Sequence, residues 1–135
     1  AVMCKLPRDH HMKKLLLILT IAFINPVFAS ELCTIIAGAT IVSKDGKYLG
    51  KISSKYDSDS ILNVYGAYGS KYNSDSIWNE YGMYGGKYSS DSPFNPYSST
   101  PPFVIKDGEK IAHLTVNKNL ESPLNPYVIK SCTFY

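Results

Sequence analysis

The sequence predicts a mainly β fold, in which a small antiparallel sheet is formed by two duplicated Asp-Gly hairpins with tyrosine-rich 16-residue turn repeats between them. Two observations support this prediction. A shift of the chain by 62 residues places the Lys-Asp-Gly triplet at 44–46 on an identical triplet at 106–108, without a gap over the next twenty positions. Between the two triplets, a unit of 16 residues occurs three times in tandem.

The N-terminal segment has the features of a secretory signal peptide. Two lysines follow Met12, and residues 15–23 form an apolar run. The small residues that a signal peptidase requires then end at Ala29, which predicts cleavage after that residue. The run is too short to cross a bilayer, which takes about 20 apolar residues. We therefore expect a leader over residues 1–29 whose true start is Met12. Cleavage would leave one exported domain, residues 30–135, without stable membrane insertion and located in the periplasm or outside the cell.

The charge of the exported domain argues against one class of partner. From residue 30 onward, ten lysines balance six aspartates and four glutamates, and there is no arginine. A general nucleic-acid binder needs a basic footprint, because phosphate neutralisation supplies most of its affinity. We therefore expect no nucleic-acid partner.

Two cysteines remain after the leader, Cys33 and Cys132, and they lie near the two ends of the exported domain. An even number of cysteines in an exported chain predicts a disulfide. The bond would close a loop of about 100 residues and contribute up to about 4.7 kcal/mol in the chain-entropy model. We expect this bond to support a domain that is small enough to be marginally stable by burial alone.

Each Lys-Asp-Gly triplet lies between two β-rich runs, 40–43 and 48–52 for the first and 103–105 and 111–116 for the second. Asp-Gly between such runs is a strong hairpin signal, because glycine tolerates the positive φ that the turn requires. One hairpin alone would be unstable, whereas a sheet of four strands need not be. The residues predicted to share one face of that sheet are Gly50, Ile52, Ala112, Leu114 and Val116.

The tandem units cover residues 54–69, 70–85 and 86–101, and their core motif occurs a fourth time at 121–127. In each copy a serine precedes Ile or Pro, as at the start of a helix. Asn-Pro in the last two copies ends the helical conformation early, because the residue before proline avoids it. We therefore expect brief helical or 3₁₀ turns joined by extended segments. The side chains expected to enter the shared core are Leu62, Trp78, Phe94 and Leu124.

Acidic residues in the units are weak candidates for calcium ligands, namely Asp57, Asp59 and Asp75. Oxygen ligands at alternating positions are typical of calcium loops, but the glycine and the bidentate glutamate that such loops need are missing. Side-chain capping of turns explains the same residues. We therefore expect no metal and no cofactor, with a calcium-binding adhesion-type repeat as one alternative.

The exported domain is rich in aromatic residues, and Trp78, Tyr68 and Tyr84 are the candidates for a binding surface. Tyr and Trp suit partners that offer both polar groups and apolar faces. The hypothesis is an interaction or envelope-associated module with an unknown protein or glycan partner, and the first alternative is a carbohydrate-binding module. The competing interpretation is that regularly spaced tyrosines replace an aliphatic core.

Catalysis has little support in the sequence. His113 is the only histidine from residue 30 onward, and it aligns with Lys51 of the first hairpin on the side expected to face solvent. There is no Gly-x-Ser-x-Gly motif that would anchor a catalytic triad. We therefore expect that the protein is not an enzyme.

The block Lys-Tyr-x-Ser-Asp-Ser-Ile-x-Asn-x-Tyr-Gly, flanked by the two Asp-Gly hairpins, resembles a group of uncharacterised small exported bacterial proteins with Ser-x-x-Asn-x-Tyr-Gly repeats. The resemblance covers residues 40–127. Pro96 and Pro126 keep the Asn-Pro-Tyr form that is frequent in that group, whereas Val64 and Glu80 replace the proline in the first two units. The resemblance implies a family and transfers no activity.

Overall fold

The structure is a computed structural model that describes residues 30–135, and its main element is a small mixed sheet of five strands. The order across the sheet is β2-β1-β3-β4-β5. Neighbouring strands pair antiparallel except β4 and β5, which pair parallel. The strands are β1 (Thr40–Val42), β2 (Tyr48–Lys51), β3 (Phe103–Lys106), β4 (Glu109–Leu114) and β5 (Pro123–Leu124).

The prediction of a small, mainly β sheet is confirmed, but the prediction that it is antiparallel throughout is wrong. After β4 the chain bends through residues 115–122, and Ser122 has a positive φ of 48°. As a result, β5 runs parallel to β4, and Leu124 of β5 lies opposite Leu114. A five-residue helix, α1 (Pro126–Lys130), follows with Asn125 as its N-cap. Residues 30–36 are also helical.

The two Asp-Gly turns connect antiparallel strands, although their backbones differ. In the β3–β4 turn both central residues have positive φ, 52° at Asp107 and 82° at Gly108, as in the type I′ turn that matches strand twist. In the β1–β2 turn only Gly46 does, with φ 91°. The Ser43 side chain completes that turn by accepting from the backbone N–H of Lys47 at 3.0 Å.

Each of the four longer strands contributes a buried aliphatic residue to the core. Ile52 and Leu114, predicted to share a face, are fully buried, and Gly50 is buried with a positive φ of 103°. Sheet, turns and α1 all lie within residues 36–135, which form one compact unit. The fully buried aliphatic residues of β1, β2 and β3 are Ile41, Leu49 and Val104.

Between β2 and β3 lies a turn region, residues 53–100, which contains no helix. The backbone N–H of about every third residue donates to the carbonyl three positions earlier, as from Ser76 to Asn73, Asn79 to Ser76 and Gly82 to Asn79. A four-residue step from Gly86 to Gly82 then completes the cycle. The predicted turns are therefore hydrogen-bonded but not helical.

The core of the turn region lies one residue earlier than predicted. Ile61, Ile77 and Pro93 are fully buried, whereas Leu62, Trp78 and Phe94, which we expected in the core, are half-buried. The serines that precede these three residues, Ser60, Ser76 and Ser92, are fully buried as well. Leu124 is buried as expected, with 5% of its surface exposed.

Cys33 and Cys132 form a disulfide, which confirms the predicted pairing. The predicted signal peptide and its cleavage point lie outside the described residues. Among residues 30–135, no helix is long and apolar enough to cross a membrane.

Candidate functional site

Each turn unit is held by a serine and an asparagine whose side chains bind the backbone. In the second unit, the hydroxyl of Ser76 accepts from the N–H of Trp78 at 3.1 Å, and Oδ1 of Asn79 accepts from the N–H of Tyr81 at 3.0 Å. Nδ2 of Asn79 donates to the carbonyl of Asn73 at 3.1 Å. The same bonds recur in the units before and after. These side chains satisfy backbone groups locally, as short polar residues do in turns.

The result is an array of tyrosines that point into solvent. Each of the six is between 82% and 96% exposed. They recur at 16-residue intervals, one pair in each unit. They form a first tyrosine row, Tyr56, Tyr72 and Tyr88, and a second tyrosine row, Tyr65, Tyr81 and Tyr97.

A lysine accompanies every tyrosine of the first row. Nζ of Lys55 and of Lys71 lies 5.4 Å from the centroid of the following tyrosine ring, and Nζ of Lys87 lies at 5.3 Å. A cation at this distance is attracted by the ring quadrupole, weakly so at an exposed site. Each unit therefore presents the same pair of a positive charge and an aromatic ring.

The three aromatic residues predicted as a binding surface are half-buried and belong to different surroundings. Tyr68 packs edge-on against Tyr48, with ring centroids 5.2 Å apart. The Trp78 ring instead contacts Phe94 at 5.5 Å, and its Nε1 donates to the carbonyl of Ile61 at 2.6 Å. Tyr84 joins neither ring pair. The sequence analysis did not predict the two exposed tyrosine rows. A Ser or Asn stands two positions before most of these tyrosines and accepts a hydrogen bond from the tyrosine N–H, and this spacing could have indicated them.

Trp78 lies on the wall of a groove of about 950 Å³. The first two turn units line one part of this groove, and residues 132–135 line another. Nζ of Lys130, at the end of α1, lies 4.1 Å from the centroid of the Trp78 ring. The aromatic and basic residues of the lining include Tyr56, Tyr72, Trp78, Lys55, Lys71 and Lys130.

The aspartates considered for calcium are engaged by the first hairpin. Lys51 pairs with Asp57 at 3.0 Å, and Lys47 pairs with Asp75 at 3.4 Å. Within residues 30–135, no group of three or more His, Cys, Asp or Glu side chains is arranged to hold a metal ion. These carboxylates therefore connect the turn region to the hairpin.

Tyr48 adds a further contact between the first hairpin and the turn region, because its hydroxyl donates a hydrogen bond to Asp59 at 3.2 Å. Burial, together with that hydrogen bond and the carboxylate charge, raises the pKa of Tyr48 to about 12. The pKa of Asp57 is lowered, first because it accepts a hydrogen bond from the backbone N–H of Asp59 and then because Lys51 lies beside it. The shift at Tyr48 reflects first its burial and then its contact with Asp59, and the shift at Asp57 reflects its contacts with Asp59 and Lys51.

His113 makes local contacts in the sheet. Its Nδ1 lies 2.6 Å from the carbonyl oxygen of Glu121, and its ring packs on Phe103 with centroids 5.5 Å apart. These contacts position the short segment that leads into β5.

Comparisons with known proteins assign no family to the chain. No family model, curated protein or solved structure matches it. The resemblance to exported proteins with tyrosine repeats therefore stays a prediction. The two tyrosine rows and the groove are the features from which a function can be inferred.

Proposed function

We propose that the protein is an exported, non-enzymatic bacterial module that binds a partner through its tyrosine-rich surface, and that it belongs with the small exported bacterial proteins carrying Ser-x-x-Asn-x-Tyr-Gly repeats. One observation carries the proposal: six tyrosines, at 16-residue intervals, stand almost fully exposed in two rows. Tyrosine is enriched at interfaces, because one end of the ring is apolar and the other forms hydrogen bonds.

The turns that present the rows also favour binding. The backbone N–H of Tyr81 is held by Asn79, and that of Tyr72 is held by the hydroxyl of Ser70 at 3.1 Å. A partner that contacts these rings would therefore order little backbone, and preorganisation of this kind increases affinity. Each unit contributes one ring to each row, so the contact surface grows with the number of units.

The finer architecture belongs to the same proposal. We propose that the 16-residue units are repeats of one ancestral unit and that the two hairpins are copies of one hairpin. The recurrence of the same three side-chain hydrogen bonds supports the first idea. The second is supported by the identical Lys-Asp-Gly triplets, even though the two turns differ in backbone conformation.

The binding function is tested with the second tyrosine row, which takes no part in the groove lining. The labelled full chain is applied to an array of glycans and envelope polymers and to a peptide library. We expect the replacement of Tyr65, Tyr81 and Tyr97 by serine to weaken binding to the ligand selected. The matched control replaces exposed Lys118 and Asn119 by serine. Absence of any ligand, or equal binding by all the variants, would overturn the proposal.

Export is tested separately by producing the full chain in a bacterial host and fractionating the cells. We expect the periplasm or medium to contain a product that begins at Ser30, identified by intact mass and N-terminal sequencing. Replacement of Leu17 by arginine interrupts the apolar run and should retain the uncleaved chain in the cytoplasm. Unprocessed wild-type chain confined to the cytoplasm would contradict export.

A further inference from the structure

The groove is positively charged, although residues 30–135 as a whole carry no net charge. Lys55, Lys71 and Lys130 line it, and no aspartate or glutamate side chain does. Lys44, Lys47 and Lys51, which form ion pairs with aspartates, belong to the first hairpin and do not line the groove. The groove lysines are thus available to anionic groups of a ligand.

Aromatic rings stand beside these charges. Tyr56 and Tyr72 of the first row line the groove with 83% and 82% of their surfaces exposed, and Trp78 lies on its wall. Rings of this kind accept the apolar face of a sugar, while hydroxyl and ammonium groups bind its polar substituents. The lining therefore combines stacking surfaces with cations.

The arrangement along the groove is periodic. Lys55 and Tyr56 occupy the same positions in the first unit as Lys71 and Tyr72 occupy in the second. Both pairs have the same cation-to-ring distance of 5.4 Å. A ligand that meets both pairs with the same chemistry must itself repeat, so the geometry favours a polymer over a single small molecule.

We propose that the groove binds an acidic polysaccharide, whose sugar rings lie against Tyr56, Tyr72 and Trp78 and whose carboxylate or sulfate groups lie beside Lys55, Lys71 and Lys130. This inference rests on the proposed function, because the first tyrosine row supplies two of its rings. It goes beyond that function by naming the class of ligand and the part of the surface that binds it.

A single-stranded nucleic acid also combines anionic groups with rings. Its affinity depends mainly on the number of phosphates neutralised by basic residues. The exported domain has no arginine and is neutral overall. An acidic polypeptide offers the charges without a ring in every repeat. The acidic glycan therefore fits the lining best, and the other two polymers serve as test ligands.

Binding is measured on the full chain by the fluorescence of Trp78, the only tryptophan in the sequence. The probes are polygalacturonate, dextran sulfate, neutral dextran, oligothymidylate and polyglutamate, each at two ionic strengths. We expect one or both acidic glycans to change the fluorescence with an affinity that falls as salt rises. Polygalacturonate and dextran sulfate distinguish carboxylate from sulfate as the anionic group.

Matched variants locate the site. Replacement of Lys55, Lys71 and Lys130 by glutamine should weaken glycan binding about tenfold. Lys87→Gln is the control, because Lys87 forms the same pair in the third unit but does not line the groove. Tyr72→Ser should also weaken binding about tenfold, whereas Tyr88→Ser, equally exposed but outside the groove, should not. Exposed positions are used so that the variants fold, which far-ultraviolet circular dichroism checks.

Each result decides between the two proposals. Stronger binding of oligothymidylate or polyglutamate than of either glycan, or glycan binding that the lysine variant leaves unchanged, would overturn the acidic-glycan site. In either case, loss of a different ligand in the second-row tyrosine variant would still support the proposed function. If no ligand bound to the protein, or if no tyrosine variant weakened the binding of any ligand, both proposals would be overturned.

Discussion

The sheet and the turn region of this protein are ordered by different means. In the sheet, backbone groups pair across strands, as where Ile41 lies opposite Val104, and the side chains there are apolar. In the turn region, backbone groups pair with side chains of Ser, Asn and Asp within a few positions, as at Ser76 and Asn79. Order in a polar sequence without hydrophobic periodicity thus comes from short polar side chains at a fixed spacing.

The sheet and the turn region also require glycine for different reasons. At Gly46, in the β1–β2 turn, a Cβ atom would meet nothing within 4 Å, and glycine is required by a φ of +91°. At Gly85, in the turn region, a Cβ atom would overlap the carbonyl oxygen of Asn79. The sheet uses glycine for a backbone conformation, whereas the turn region uses it to let two backbone segments approach closely.

The largest expected effect comes from reducing the Cys33–Cys132 disulfide, because the loop it closes contains both regions. Loss of that constraint removes up to about 4.7 kcal/mol. We expect thermal unfolding followed by far-ultraviolet circular dichroism and by Trp78 fluorescence to shift to lower temperature together. A fluorescence transition that moves alone would show that the turn region unfolds independently of the sheet. Coincident transitions that do not move would contradict the prediction.

The second prediction compares the two glycines. Gly85→Ala should cost about 3 kcal/mol, because the atoms that its Cβ would meet belong to the backbone and cannot turn aside. Gly46→Ala should cost about 1 kcal/mol, the usual penalty for a left-handed alanine. Urea denaturation of both variants measures the difference. Equal losses would mean that the close backbone approach in the turn region relaxes easily.

The third prediction concerns the side-chain hydrogen bonds. Asn79→Ala removes the bond donated to Asn73 and the one accepted from Tyr81, and should cost about 2 kcal/mol. Asn79→Asp retains the acceptor but sets a carboxylate oxygen against the carbonyl oxygen of Asn73, so it should cost about as much as Asn79→Ala.

In the sheet, Thr40→Val removes a 3.4 Å bond to Ile105 where the strands already pair through their backbones. It serves as the matched control and should cost less than about 0.5 kcal/mol. Urea denaturation is again the measurement. If Thr40→Val cost as much as Asn79→Ala, the two regions would not differ in what holds them.

The strands beside the Asp-Gly turns were predictable, because turn chemistry and β-rich runs are local signals. The parallel pairing of β5 was not. It has two residues, it begins at Pro123, and its direction depends on the bend at Ser122. The core positions predicted in the turn units lie one residue after the buried ones, as at Leu62 in place of Ile61. A chain of three-residue turns follows neither the helical period nor the strand period, so side-chain periodicity did not indicate which residues are buried.

The candidate site was predictable only in part. Trp78 was selected from the sequence and does line the groove, whereas Tyr68 and Tyr84 do not. The groove also needs Lys130 and residues 132–135, which are distant in the chain from the turn units they face. No local pattern in the sequence brings these parts together, so only the fold reveals the cluster of lysines and rings.

The smallest expected effect is a dependence of stability on pH at the contact between the hairpin and the first turn unit. The pKa of Asp57 lies below its ordinary value of 3.8 in the folded protein, because Asp59 N–H and Lys51 favour its charged form. As the pH falls below that value, the unfolded chain takes up the proton first. The contribution of Asp57 to stability is therefore present above pH 3.8 and is lost as the pH falls through the folded pKa.

Asp57→Asn, which keeps an oxygen to accept from Asp59, should remove this dependence. The measurement is the difference in melting temperature between wild type and variant at pH 6 and at pH 3, with Asp45→Asn in the exposed β1–β2 turn as the control. The difference for Asp57→Asn should shrink at pH 3, because the unfolded wild-type chain then binds a proton at Asp57 more readily than the folded chain does, and part of the stabilisation by the charged side chain is lost. A difference that stays constant would mean that the charge of Asp57 adds nothing to the stability of the contact between the hairpin and the first turn unit.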